Sequence, residues 1–597
     1  MGKVRAPGAL CCAAMGRLPP FDRPLDLESS IARADRPGGG FVIRARAELP
    51  PFPRCLGDSL VHWAAAAPDR ALYAERERDA ERDGEWRRVS YREALAAARA
   101  LGQVLLDLGV SSARPLLVLS GNSIEHALLA LAAMHVGAPI APVSPAYSLQ
   151  SSDHGKLRAI AALVRPGAIY AADRGAFAGA LAALARDGVA APVLDRANVV
   201  ELSRTPPRAA VDAAFAAVTG DTVAKILFTS GSTGVPKGVL NTQRMLCANQ
   251  AGLAAGWPFL RDAARPPVIV DWLPWSHTFG ANHNANLVLT HGGTLYLDGG
   301  KPAPGAFDET LRNLREVPST LYFNVPRGFD LLAGALEADA ELRAAFFRDL
   351  DLIFYAAAAL SPATWRRLEA ACAREGRAVA MTSAWGSTET SPLVTQVAYA
   401  IDRAGVIGIP IPGLELAFVP SGDQLELRVK GPSVAPGYLA AGGGGSIEPL
   451  PLDEHGFYPM GDAGALGPDG VRFEGRTSEN FKLASGTWVR VTAVRLALIA
   501  ACAPHVADAV ICGHDRGELG ALIFLAPGGR ADDVRAALAA QTAQTSSTRI
   551  ARALVLVEPP SIDAGEITDK GYLNQRAIRE RRAADVERLF ADHRCAV

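Results

Sequence analysis

"ILFTSGSTGVPKGVL", residues Ile226 to Leu240, decides how the rest of the chain is read. Ala224-Lys225-Ile226-Leu227-Phe228 reads as a buried strand, and Val239-Leu240 resumes the apolar pattern beyond a polar loop. Between them lie Thr229, Ser230, Ser232 and Thr233, the glycines Gly231, Gly234 and Gly238, and a single cation, Lys237. Glycines let backbone N–H groups turn inward, and hydroxyls add further donors, so the loop suits a polyphosphate. It is not a Walker loop, which needs Gly-Lys followed by Ser or Thr at the start of a helix. Here Pro236 precedes Lys237 and Gly238 follows it. Read alone, the stretch is either a phosphate cradle or a glycine-rich turn between two elements.

The whole chain narrows the choice. Its 597 residues exceed one ordinary core and imply two or more domains. A hydrophobic fraction of 49%, a charged fraction of 21% and a net charge of −1 fit a globular enzyme and disfavour nucleic acid or an anionic membrane as partner. The 8 cysteines show no metal-ligand spacing and read as reduced thiols. No apolar run is long enough to span a bilayer, so no stable membrane anchor is expected. The start, "MGKVRAPGALCCAAMG", carries a short apolar stretch, but Pro7 and its brevity argue against an export signal. The expected location is cytoplasmic.

Residues 1–50, rich in Pro, Gly and Arg, predict a loosely ordered extension. From Leu60 strands alternate with helices: "SYREALAAARALGQVLLDLGV" is an amphipathic helix, "PLLVLS" a strand, "NSIEHALLALAAMHVGA" a helix and "PIAPVS" a strand. That rhythm predicts an α/β fold whose parallel-rich sheets are flanked by helices. After Ile407 short strands and turns predict a small β-rich subdomain. Beyond Gly475 a smaller α+β segment follows, with strands expected at "WVRVT", "DAVICG", "ALIFLA" and "ALVLVE". The expected division is 1–50, a large domain over 51–476, and a small mobile domain over 477–597.

Polar clusters fall where strands end, the place at which open α/β sheets bind ligands. They are "DWLPWSHTFG", "FYAAAALSP", "TSAWGSTETSP", "YPMGDAG", "FEGRTSENFKLASGTWV" and "GEITDKGYLNQR". In this order, together with the opening loop, they resemble the acyl-adenylate-forming, or AMP-binding, superfamily over about residues 55–580. More narrowly, "DWLPWSHTFGANHNANLVLTHGGTLYLDGGKPAP", "RNLREVPSTLYFNVPRG", "ENFKLASGTWV" and "GEITDKGYLNQR" resemble feruloyl-CoA synthases.

The resemblance implies an acid–thiol ligase using ATP, Mg²⁺ and coenzyme A. Thr229, Ser230, Gly231, Ser232, Thr233, Gly234 and Lys237 would hold the phosphates of ATP, hydrogen bonds and charge favouring the departing pyrophosphate. Glu389 would bind Mg²⁺, a hard cation that seeks carboxylate oxygen. Trp385 and Gly386, with Ala357 and Ala358, would lie against adenine, and Thr388 would contact the α-phosphate. Asp462, supported by Arg476, would accept from the ribose hydroxyls, since a carboxylate only accepts and they donate. His277 would wall the pocket where carboxylate meets phosphate, with Phe279, Asn282 and Asn324 beside it by position. Lys570 would neutralise charge as the carboxylate attacks phosphorus. Rotation of the small domain about Ser478 would then bring Lys482 and Gly486 to the CoA tunnel.

Trp385 stands where the family more often has Tyr, and three further positions depart from its pattern. Ala357 stands where relatives commonly have Gly, Ser478 where the hinge is usually Asp or Lys, and Glu566 follows Gly565 where Gly-Lys is commonest. The implied substrate is a hydroxycinnamic acid such as ferulate. Alternatives are another aryl or medium-chain acid, or transfer to a carrier protein instead of CoA. The state implied is a monomer or homodimer.

Overall fold

The computed structural model describes residues 21–25, 30–77, 84–230, 236–303, 305–358, 360–442, 445–541, 545–568, 571 and 573–597. Two large sheets and a smaller α+β unit make up the fold.

Among the described residues, the first sheet has 15 strands and two textures. In one half, Ala71–Arg76, Thr294–Leu297, Val268–Asp271, Leu321–Asn324, Leu352–Tyr355 and Ala380–Gly386 run parallel. Short runs such as Leu352–Tyr355 are buried at every position because helices cover both faces. The other half is antiparallel, from Leu393–Gln396 outward to the strands Tyr458–Gly467 and Gln424–Lys430. The parallel sheet and the β-rich region beyond Ile407 are therefore one continuous sheet. The second sheet has 8 strands and centres on Leu116–Leu119, Ile140–Val143 and Val223–Ser230.

Local signals explain the helices around them. Tyr91–Asp107 starts at Ser90, whose hydroxyl accepts from Glu93 N while Glu93 Oε2 accepts from Ser90 N at 2.8 Å. Ile124–His135 starts at Ser123, whose hydroxyl accepts from His126 N at 3.1 Å without the reciprocal bond.

Two expectations change. Within residues 1–50, the described stretch 30–50 is not a loose extension. Ile31–Asp35 and Phe41–Ala45 form an antiparallel hairpin that pairs with Glu415–Ser421, and Phe41 stacks on Phe418 at 4.4 Å. Alternating burial along Phe41–Ala45 drives this, since Ile43 is fully buried. The segment "WVRVT" is a strand only at Trp488–Val489, because Val491–Ala501 turns its apolar residues into a helix face.

The small unit has its own core. Val506–Cys512 and Leu519–Leu525 pair antiparallel, and Ile550–Val555 joins parallel to the latter. Leu498, Ile511, Ile523 and Val534 pack inside it. A separate core is what lets such a unit move as a body. Among the described residues, no helix is long and apolar enough to cross a membrane.

Candidate active site

The polar clusters converge because the strands that carry them end on one side. Val268–Asp271 leads to His277, Leu352–Tyr355 to Ala357, and Ala380–Gly386 to Thr388 and Glu389. All three belong to the parallel half and present their carboxyl ends.

Strand Val223–Ser230 returns as Pro236–Thr242, an antiparallel hairpin with Lys237 opposite Thr229. A strand, not a helix, follows the loop, which separates it physically from a Walker loop. Gly231, Ser232, Thr233 and Gly234 lie outside the described residues, as does Lys570. The backbone of Ser230 ends the first strand. Lys237 is exposed, with Nζ 4.8 Å from the ring centroid of Tyr438.

Tyr438 also touches the metal candidate. Its hydroxyl lies 3.2 Å from Glu389 Oε1 and 3.2 Å from the hydroxyl of Tyr458. All three side chains are buried. Burial, with Glu389 next, pushes the Tyr438 phenol far up, and burial pushes Tyr458 up to about 12. Both phenols stay protonated at neutral pH. Among the described residues no group of three His, Cys, Asp or Glu side chains could hold a metal ion. One carboxylate fits Mg²⁺ nonetheless, because that ion keeps waters and takes most other ligands from substrate phosphates.

Asp462, the expected ribose acceptor, has its carboxylate nearly enclosed. Oδ2 accepts from Trp385 Nε1 at 2.8 Å. Oδ1 has Arg476 Nε 3.1 Å away but no hydrogen-bond partner, because the contact is an ion pair with poor alignment. Burial raises its pKa, while Arg476 and Trp385 pull the other way. A buried acceptor without a hydrogen-bond donor is costly, and a sugar hydroxyl would suit it. Trp385, expected against adenine, thus also holds the carboxylate.

Ala357 and Ala358 are exposed beside this position, and Ala357 adopts φ 72°. That is the left-handed region where Gly is at ease, which accounts physically for the glycine common among relatives.

His277 is half-buried, and its carbonyl accepts from Ala281 N at the start of a π-helical turn, Phe279–Asn284. The turn places Phe279 against Phe323, Phe354 and His283 at centroid distances of 6.5, 5.7 and 5.7 Å. The two amides differ from Phe279. Asn324 is fully buried and spent internally: Oδ1 accepts from Trp272 Nε1 and Val325 N, and Nδ2 donates to Tyr322. It supports the wall and does not face a ligand. Asn282 Nδ2 donates to Asn241 Oδ1 at 2.8 Å and to Thr278, while its Oδ1 has no partner.

Sequence reasoning missed Asn241, Asn249 and Gln250. Asn241 Nδ2 donates to the Thr388 carbonyl at 3.1 Å, so one side chain joins the Thr388 turn to Asn282. Asn249 holds the Thr390 and Leu393 carbonyls, and Gln250 those of Asn282 and His283. Their spacing just after the phosphate hairpin was the available signal. Tyr438 and Tyr458 were also missed.

Ser478, the expected hinge, is exposed after strand Gly470–Arg476. Lys482 and Gly486 (φ 81°) lie on the hairpin Phe481–Val489. Lys482 Nζ lies 3.7 Å from Asp423, and Trp488 Nε1 donates to Asp423 at 2.5 Å. On the other side Asp563 accepts from Ser152 N and Oγ, and Lys156 Nζ donates to the Ile562 carbonyl at 2.7 Å. Glu566 is not available as a catalytic group. Both its oxygens are held by Arg582 at 2.8 and 2.7 Å, and this pairing keeps its carboxyl below the usual range.

This fold and arrangement of groups define an AMP-binding enzyme, and the chain belongs to that family. Residues 60–439 match the AMP-binding enzyme family and residues 483–594 the AMP-binding enzyme C-terminal domain. Among relatives, the chain is 27% identical over 510 residues to CymA of Salinispora arenicola, described as a probable non-canonical nonribosomal peptide synthetase. That match covers 83% of this chain but only 6% of the relative's length. It is 24% identical to the long-chain-fatty-acid–CoA ligase FadD15 of Mycobacterium bovis, over 85% of this chain and 93% of that one. The ATP-bound crystal structure of MatB from Rhodopseudomonas palustris is similar in fold, with TM-score 0.66 and 22% identity over 89% of this chain and 99% of the other.

Proposed function

We propose that the protein is an ATP-dependent acid–CoA ligase that adenylates a hydroxycinnamic acid and passes the acyl group to CoA. The observation carrying this reading is the convergence of Lys237, Glu389 and Asp462 through Tyr438 and Trp385 at the strand ends. These are the contacts that a triphosphate, its cation and a ribose require.

In this reading Thr229 and Lys237 hold the phosphates, and Lys237 balances charge gathering on the departing pyrophosphate. Asp462 Oδ1 accepts from the ribose, which fixes the α-phosphate near Thr388. Glu389 would hold Mg²⁺, which would supply positive charge to the phosphate oxygens. Lys570, from the small domain, pairs with the attacking carboxylate during adenylation. The domain then turns about Ser478 and brings Lys482 and Gly486 to CoA.

The choice of an aromatic acid rests on the motif resemblance and is supported by the wall of Phe279, Phe323, Phe354 and His283. A second reading, acyl transfer to a carrier protein, is favoured by the likeness to CymA. The test measures pyrophosphate release and thioester formation together. Acid-dependent release with CoA thioester supports the ligase. Release without thioester supports carrier loading, and no release with any acid overturns both.

A further inference from the structure

Tyr438 has two faces toward the phosphate site. It lies on strand Gly437–Leu439, which pairs with the returning strand of the phosphate hairpin at Val239. On its other side Gly437 packs against strand Ile447–Pro449, where a Cβ would meet the Glu448 carbonyl at 2.2 Å. The ring of Tyr438 takes the Lys237 ammonium at 4.8 Å, and its hydroxyl takes Glu389 Oε1 at 3.2 Å. The same segment grips the Glu389 backbone, since Ala435 N donates to the Glu389 carbonyl at 2.8 Å.

The proton order follows from chemistry. An ionised carboxylate only accepts, so Tyr438 donates to Glu389. Its one proton is then committed, and at 3.2 Å Tyr458 must be the donor to Tyr438. Tyr458, Tyr438 and Glu389 form a directed chain that ends on the carboxylate.

We propose that Tyr438 is a positioning residue for the divalent cation that accompanies ATP: its hydroxyl fixes Glu389 while its ring fixes Lys237. This rests on the reading of Glu389 as the cation's protein ligand. Partners that orient a metal-binding carboxylate are commonly worth about 10–100-fold in metal affinity. The phenol therefore sets cation affinity, whereas the ring, through Lys237, sets affinity for the nucleotide phosphates.

The experiment titrates Mn²⁺ by electron spin resonance in the presence of a non-hydrolysable ATP analogue, so no turnover is needed. Y438F keeps the ring and removes the hydroxyl. It should weaken Mn²⁺ binding ~10-fold or more, with metal-free binding of the analogue unchanged. A role confined to packing would lower thermal stability and leave Mn²⁺ affinity at the wild-type value, which overturns the proposal. E389Q in the same titration isolates the underlying reading. If E389Q leaves Mn²⁺ binding intact, the assignment of the cation to Glu389 fails. If E389Q weakens binding and Y438F does not, the inference about Tyr438 fails alone. Should Y438F not fold, Y458F decides: weakened Mn²⁺ binding supports the chain, and wild-type binding overturns it.

Discussion

Trp385 Nε1 donates to Asp462 Oδ2 at 2.8 Å, inside a pocket where the other carboxylate oxygen has no hydrogen bond. The indole therefore aims Asp462, and the open oxygen is the one left for a ribose. Trp385→Phe keeps an aromatic face and removes the donor. A hydrogen bond to a charged group is worth about 1.5–3 kcal/mol, so KM for ATP should rise ~10-fold or more. KM for the acid should hardly move. Steady-state kinetics with each substrate varied in turn checks the split; an equal rise in both would show general disruption.

Lys225 gives a pH-dependent stability term. It is fully buried on the strand leading to the phosphate loop, and Nζ donates to the Ala281 carbonyl at 2.7 Å and to Asn286 Oδ1 at 3.1 Å. Burial lowers its pKa from 10.5 to about 7. Between those two values the unfolded chain holds a proton that the folded chain has released. Stability contributed by Lys225 therefore rises with pH from about 7 toward 10.5, by on the order of a few kcal/mol. Lys225→Met should flatten that part of the stability–pH curve, measured by denaturant unfolding in steps of pH. An unchanged slope would mean that Lys225 is charged in the native state.

Ala357, proposed to lie against adenine, is held at φ 72°. Glycine would relieve about 1–2 kcal/mol of backbone strain and give back about 0.4–1 kcal/mol of unfolded-chain entropy. Ala357→Gly should therefore stabilise the protein slightly. The check is a higher unfolding midpoint with unchanged activity or a lower KM for ATP; a lower midpoint would contradict the argument.

Asp563 joins the small unit to the large one through Ser152, beside the bond from Lys156 to the Ile562 carbonyl. Hydrogen bonds at such an exposed contact are worth about 1 kcal/mol. Asp563→Ala should slow adenylation ~5-fold, followed by acid-dependent pyrophosphate exchange, and spare acyl transfer from preformed acyl-AMP to CoA. Equal losses in both halves would show that the contact does not favour one domain arrangement.

The sequence exposed the parts of this site that depend on local chemistry. Strand ends at Asp271, Tyr355 and Gly386 were visible because buried parallel strands are short apolar runs with polar residues after them, while the strand expected to stop at Phe228 runs on to Ser230. Lys237, Glu389 and Asp462 stood out because each is a charge beside glycine or hydroxyl groups. Asn241 and Tyr438 did not, because their importance lies in partners 147 and 49 residues away. The same holds for the hairpin Ile31–Ala45, whose partner strand lies at Glu415–Ser421. Asn324 was misread for the converse reason: its polar atoms are satisfied by Trp272, Tyr322 and its own neighbour.

The most direct test of the central claim is acid-dependent pyrophosphate release and CoA thioester formation across ferulate, 4-coumarate, caffeate and a series of fatty acids. The account predicts that hydroxycinnamates give both products, with kcat/KM exceeding that of every fatty acid by ~10-fold or more. Fatty acids outperforming all hydroxycinnamates would contradict the substrate reading, and absence of pyrophosphate release with every acid would contradict the ligase itself.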